Sequence, residues 1–143
     1  MAVHNLLQGT RSASLLTMGT LANGTYITSA AVDLTVDIPL FVTLQVEADA
    51  NGTPSGNKQL PVFVKWSLDG TDYTSGPESG TSATEEADLH WVGTLPMNDT
   101  NVHRKEFLVY PRGRYMKVVV KNDCGVALTS GAVYQAAWTG ETT

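Results

Sequence analysis

The chain has 143 residues, nine of them Lys or Arg and fourteen Asp or Glu, which leaves a formal charge of −5. A chain of this size is one domain and buries about 68–70% of its unfolded surface, so it forms a core without covalent staples. The acidic balance argues against general nucleic-acid binding, the single cysteine forbids an internal disulfide, and no apolar run approaches the ~20 residues of a membrane helix.

The first 24 residues, MAVHNLLQGTRSASLLTMGTLANG, fit no regular template. Gly9, Gly19 and Gly24 interrupt any helix, and the LLTMGTL stretch is too short and broken for a signal-peptide core. Large apolar residues nonetheless recur at Leu6, Leu7, Leu15, Leu16, Met18 and Leu21. The segment reads either as a partly ordered terminus or as an extended arm gripping a neighbouring subunit. As an arm, its contact residues are Leu6, Leu7, Arg11, Leu15, Leu16 and Met18.

Strand signals begin with TYITSA (25–30), which is β-branched and aromatic. From Val32 to Ala48 every even position is apolar, while Asp33, Thr35, Asp37, Thr43, Gln45 and Glu47 occupy odd ones. That run is longer than one ordinary strand of ~17–20 Å. Pro39 has no N–H for a ladder and divides it into strands over 31–38 and 40–48. The apolar side should stay inward across the corner as the chain passes from one sheet to the other. A Gly-, Asn- and Pro-rich loop covers 48–59. LPVFVKWSL (60–68) alternates again, with Val62, Val64, Trp66 and Leu68 on one face and Phe63, Lys65 and Ser67 on the other. Asp69-Gly70 is a turn dipeptide, and 74–88 has no apolar period and reads as an exposed loop. LHWVGTL (89–95), KEFLVY (105–110), RYMKVVVKN (114–122) and AVYQAAW (132–138) complete the set. Trp66 and Trp138 are expected to face inward. These eight strands predict an all-β, antiparallel β-sandwich over 25–143, jelly-roll or immunoglobulin-like, behind an extended N-terminal arm over 1–24.

Chemistry-bearing residues are sparse. His4, His90 and His103 are far apart, and no G-x-S-x-G, H-E-x-x-H or C-x-x-C motif is present. No cofactor motif is apparent. Cys124, in KNDCG, reads as a small residue of a turn. Asp49-Ala50-Asn51-Gly52 and Asp69-Gly70-Thr71-Asp72 group oxygen side chains near a glycine, but such pieces also make ordinary turns. Glu85 and Glu86 read as ordinary solvated carboxylates. Basic residues gather at Arg104, Lys105, Arg112, Arg114, Lys117 and Lys121, and acidic ones at Glu78, Glu85, Glu86 and Asp88. They form either a solvated mixed face or a basic strand pair facing an acidic partner. Tyr73, Trp91, Tyr110, Tyr115 and Trp138 would stack on sugar rings if exposed, and would fill a core if not.

The stretch VFVKWSLDGTDYTSG (62–76), with Ser67, Asp69, Gly70 and Tyr73, and RYMKVVVKNDCGVALTSGAVYQAAW (114–138), with Asn122 and Gly125, resemble small β-sandwich virion proteins of tailed bacteriophages. These are of the capsid decoration or cement type. The resemblance covers residues 25–138 and omits the arm. It implies a structural, non-enzymatic protein with no catalytic residues or cofactor. Such a protein is made in the host cytoplasm and sits on the capsid surface against the major capsid protein. It is expected to be a dimer or trimer that binds neither nucleic acid nor membrane. The alternative is a receptor- or carbohydrate-binding module of a phage tail or fibre.

Overall fold

The computed structural model describes residues 4–36, 38–80 and 85–142. The sequence expectations that touch Asp37, the start of the arm at 1–3 and the loop at 81–84 lie outside the described residues. Ten strands follow one another: β1 (His4–Gln8), β2 (Leu16–Thr17), β3 (Tyr26–Thr28), β4 (Val32–Asp33), β5 (Phe41–Ala50), β6 (Gln59–Ser67), β7 (His90–Pro96), β8 (His103–Val109), β9 (Tyr115–Lys121) and β10 (Leu128–Thr142). The only helical element among the described residues is a 3-10 turn, Glu86–Asp88. One sheet has the order β1-β10-β5-β8, with β2 also on β10. The other has the order β3-β9-β6-β7, with β4 also on β9. Every pairing is antiparallel. The chain is all-β, with two antiparallel sheets packed as a sandwich.

The two-residue period drives this arrangement. In β5 the burial alternates residue by residue, and Val42, Leu44 and Val46 have no exposed surface. Their partners on β10 are Ala137, Gln135 and Val133, and on β8 they are Val109, Phe107 and Lys105. Facing them, Val62, Val64 and Trp66 of β6 stand opposite Val120, Val118 and Met116 of β9, all in the same core cluster. Cross-strand partners share a face, so one period-two row from each strand builds one apolar layer. Where β7 and β8 meet at the side, Gly93 leaves room for Phe107, whose ring lies 2.4 Å from where a Cβ would stand. The Lys105 ammonium closes that side by donating to the Thr94 carbonyl at 3.2 Å.

Pro39 stands where the chain changes sheets, since β4 belongs to one sheet and β5 to the other. The apolar side does not stay inward across this corner, as the alternation suggests. Val36, Ile38 and Leu40 are exposed, and the strand expected over 31–38 shrinks to two residues. The Asp33 carboxylate accepts hydrogen bonds from the Thr35 N–H and hydroxyl at 2.8 and 2.6 Å, and the Ile38 N–H reaches the Leu34 carbonyl at 3.1 Å. The chain therefore coils instead of extending. Leu68, expected inward, lies beyond the end of β6 and is exposed.

Residues 4–18, read as an arm reaching a neighbour, run along β10 of their own chain. His4 pairs with Thr142 and Gln8 with Trp138, and Leu16 and Thr17 pair with Val133 and Ala132. Between β1 and β2 the backbone N–H groups of Gly9, Ser12 and Leu15 continue the ladder to Ala137, Gln135 and Val133. The long β10 template captures an interrupted partner, because backbone pairing tolerates glycine breaks that would end a helix.

Of the stretch 74–88, read as a plain exposed loop, the described residues before 81 and after 84 are fastened over the outer face of the second sheet. Lys65 and Lys117 face each other across β6 and β9, a like-charge pair that needs a counter-ion. Glu78 supplies it, at 3.0 Å from Lys65 and 3.7 Å from Lys117. The Lys65 ammonium also donates to the Gly76 carbonyl at 3.1 Å. Gly76 takes φ +121°, and a Cβ there would lie 2.5 Å from Leu89, so only glycine fits. Further on, Glu86 accepts hydrogen bonds from the Tyr26 hydroxyl and from Lys121 at 3.0 Å. Glu86 is thus no ordinary solvated carboxylate. Tyr26, Phe63, Leu89 and Val119 form a second apolar cluster.

Hydrogen bonding from Lys65 holds the Glu78 carboxyl below its usual pKa, and the Tyr26 hydroxyl followed by Lys121 does the same for Glu86. Carboxyls with lowered pKa stabilise the fold above their unfolded value, ~4.3, and lose that contribution as pH falls through the lowered one. Glu78→Ala leaves the buried Lys65 ammonium with only a carbonyl partner. It is expected to cost about 1–2 kcal/mol, less than a fully buried pair because the Glu78 side is half-exposed. Urea denaturation at pH 7 and pH 3 checks this: the gap between variant and parent should be full at the first and smaller at the second.

Candidate interaction surface

Five of the six sequence-derived contact residues divide into two groups. Leu16 and Met18, at 6% and 2% exposure, are in the chain's own core, and Leu15 packs against it half-buried. Leu16 and Met18 meet the same chain and leave almost nothing for a neighbour to touch, while Leu15 keeps part of its surface. Leu6 and Leu7, at 49% and 45%, stay open to solvent. Arg11 lies over the Tyr134 ring at 4.2 Å and donates to the Gln45 side-chain oxygen at 3.3 Å, so it serves intramolecular packing on the outer face of the first sheet.

That outer face is polar at one end and apolar at the other. At the polar end Arg104 pairs with Glu47 at 2.5 Å and Gln45 donates to Glu106 at 3.2 Å. At the other end three aromatic rings cross the sheet. Phe41 stacks on Trp138 at 5.3 Å and tilts against Tyr110 at 6.0 Å. Trp138 shares the face of Phe41, opposite to the buried Val42 row, so it does not look inward as expected. Its indole N–H donates to the Thr43 hydroxyl at 2.9 Å. The row continues to Leu40, whose side chain lies beside Gly140, and to Leu6, the cross-strand partner of Gly140. Leu7 projects from the opposite face of the same ribbon. β5 ends at the Phe41–Trp138 pair, so beyond it β10 has only β1 as a neighbour.

The surface ends at the corner before β5. Ile38 is 78% exposed and sits at φ +46°, a left-handed conformation that a β-branched residue adopts against steric resistance. A hollow of about 250 Å³ opens beside it, lined by Leu34, Ile38, Pro39, Pro111 and Arg114 among others. Leu6, Leu40, Phe41, Trp138 and Tyr110 thus form one apolar surface at one end of the sandwich, and Ile38 is exposed two residues before Leu40 at the adjoining corner. Strained backbone concentrates at functional positions, and contiguous exposed apolar surface marks interaction sites. Sequence reasoning reached Leu6 as a contact residue and Tyr110 and Trp138 as rings that would stack on sugars if exposed, but missed Leu40, Phe41 and Ile38. The available signal was Phe41, a large apolar residue on the odd, outward register of the β5 alternation.

The polar residues singled out in the sequence do not converge. His103 meets Asp99 at 3.0 Å, and Trp66, inward as expected, donates its indole N–H to His90 Nδ1 at 3.0 Å. The Asp69 carboxylate closes a turn by accepting the N–H groups of Thr71 and Asp72 at 2.8 and 2.9 Å, and Asp49 accepts from Ser130, its cross-strand partner on β10. Among the described residues no group of three His, Cys, Asp or Glu stands close enough to hold a metal ion. Cys124 is buried, its thiol against the Val126 carbonyl at 3.2 Å. The basic strand residues Lys117 and Lys121 face acids of their own chain, Glu78 and Glu86.

Leu6→Asp and Met18→Ala separate the two groups of contact residues. The first is expected to change unfolding free energy by less than about 0.5 kcal/mol. The second should cost about 2–5 kcal/mol through the cavity it leaves, as read from denaturant midpoints at constant slope. No protein-family model matches the chain, and no curated protein matches it.

Proposed function

We propose that the chain is a structural virion protein that binds and stabilises a bacteriophage capsid in the manner of a decoration or cement protein. The observation that carries this reading is the apolar end surface. Leu6, Leu40 and the Tyr110–Phe41–Trp138 row lie together on the outside of the sandwich, with Ile38 exposed at the adjoining corner. Such a surface suits docking on the major capsid protein from the outer side of the shell. Modest contacts repeated over a shell act by avidity, so no single one need be strong. The open edge of β1 offers backbone groups for a further strand, which suits a dimer or trimer. A single buried cysteine suits assembly in the host cytoplasm, where thiols stay reduced.

The sandwich itself reads as a jelly roll. What supports this is the order of the strands, with β1 and β2 counted as one and β3 and β4 as one. Eight strands then wind as two sheets of four, and the chain changes sheet at every connection except β6 to β7.

Particles of the phage that encodes the chain are expected to contain it at fixed stoichiometry, as measured by quantitative mass spectrometry. Added protein should co-sediment with particles lacking it and raise their melting temperature. Leu6→Asp together with Leu40→Asp should weaken co-sedimentation by at least about tenfold without altering the fold. Absence of the chain from purified particles rejects the reading. Undiminished binding by the double variant rejects the surface.

A further inference from the structure

We propose that the groove around Arg112, between Trp91 and the hairpin after β6, binds a neutral glycan. This goes beyond capsid docking and uses different residues, apart from Tyr110 at the shared border.

Two hollows meet at Arg112. One, of about 110 Å³, is lined by His90, Trp91, Leu108, Tyr110 and Arg112. The other, of about 450 Å³, is lined by Trp66, Leu68, Asp72, Tyr73, Thr74 and Arg112, and lies within the usual span of small-ligand clefts, roughly 300–1,000 Å³. Trp91 and Tyr110 are 60% and 64% exposed, an uncommon state for large aromatic side chains. Leu68 and Leu108 beside them are exposed as well.

A pyranose ring has an apolar C–H face and a rim of hydroxyls, and this groove offers a counterpart for each. The indole and phenol rings present negative π-faces on which C–H groups stack. Arg112 supplies a planar fork of donors, and the exposed Asp72 carboxylate supplies acceptors. Together they match adjacent hydroxyls, each of which both donates and accepts. His90 adds a donor of defined position. Its Nδ1 receives the Trp66 indole proton, so the neutral ring carries its own proton on Nε2. Burial first, and the Arg112 charge second, hold its pKa below the ordinary value, which keeps the ring neutral near pH 7.

The groove is also fixed before any ligand arrives. Ser67 Oγ accepts the Gly70 N–H at 2.9 Å and donates to Asp69, whose carboxylate accepts two further N–H groups. The Thr74 hydroxyl accepts the Trp66 N–H at 3.2 Å, binding the hairpin back to β6. A pre-organised wall loses little freedom when it binds. The charge favours a neutral ligand, since Arg112 is offset by Asp69 and Asp72 and leaves no cationic surplus for phosphate or sulfate.

The test is a printed array of neutral gluco-, galacto- and manno-configured oligosaccharides, followed by calorimetric titration of the intact protein with the strongest binder. At least one neutral oligosaccharide is expected to bind. Trp91→Ala and Arg112→Ala should each weaken it by about tenfold or more. Melting temperatures should stay unchanged, and Leu6→Asp should bind as the parent does. No neutral glycan bound at millimolar concentration, retention of only anionic glycans, or unchanged affinity in both groove variants would overturn the proposal. Loss of particle binding in Leu6→Asp with glycan binding intact separates this result from the capsid reading.

Discussion

Burial of one side of each pleated sheet is the constraint on which everything else in this protein depends. Val42, Leu44 and Val46 can be fully buried only if every second residue of β5 faces the opposite sheet. A slip of one residue would bring Thr43, Gln45 and Glu47 into the core and expose the valines. With that register held, the partners on β8 and β10 are assigned, and so is the outward row of Phe41, Thr43, Gln45 and Glu47. The apolar end surface is therefore a by-product of the core. The side chains that meet solvent at Phe41, Tyr110 and Trp138 are those the inward row leaves over.

The second sheet shows what happens when the outward row carries like charges. Lys65 and Lys117 stand opposite each other, and two ammonium groups in that position repel. The chain answers with its own acidic segment, placed by Glu78 at one end and Glu86 at the other. The described residues on either side of 81–84 are thereby held to the sheet, beside the small cluster of Tyr26, Phe63, Leu89 and Val119. Separation of the basic and acidic clusters along the chain is thus resolved within one molecule.

Much of the strand set was legible in the sequence, because period-two alternation is a direct image of one-sided burial. β5, β6 and β9 were readable for that reason, as was the change of sheet near Pro39. Three features were not. Alternation cannot distinguish a strand from a coil that begins with an Asx turn, so it points Val36 and Ile38 inward although Asp33 bends the chain just before them. Short strands held only by a long neighbour carry no pattern of their own, so β1 and β2 read as a detached arm in sequence although both pair with β10. Ion pairs between residues 13 and 35 positions apart leave no local trace, so Glu78 and Glu86 read as loop carboxylates. Of the interaction surface, Leu6 was accessible from composition alone, while the aromatic row depended on which face of β10 carried Trp138.

The antiparallel match of β1 with the far end of β10 brings residue 4 and residue 142 side by side as cross-strand partners. The described backbone is thus nearly a closed ring. A bridge of a few residues would join its ends, and a new opening in the loop at 51–57 would leave all ten strands intact. Connectivity around the circuit could then be rearranged while the packing stayed the same.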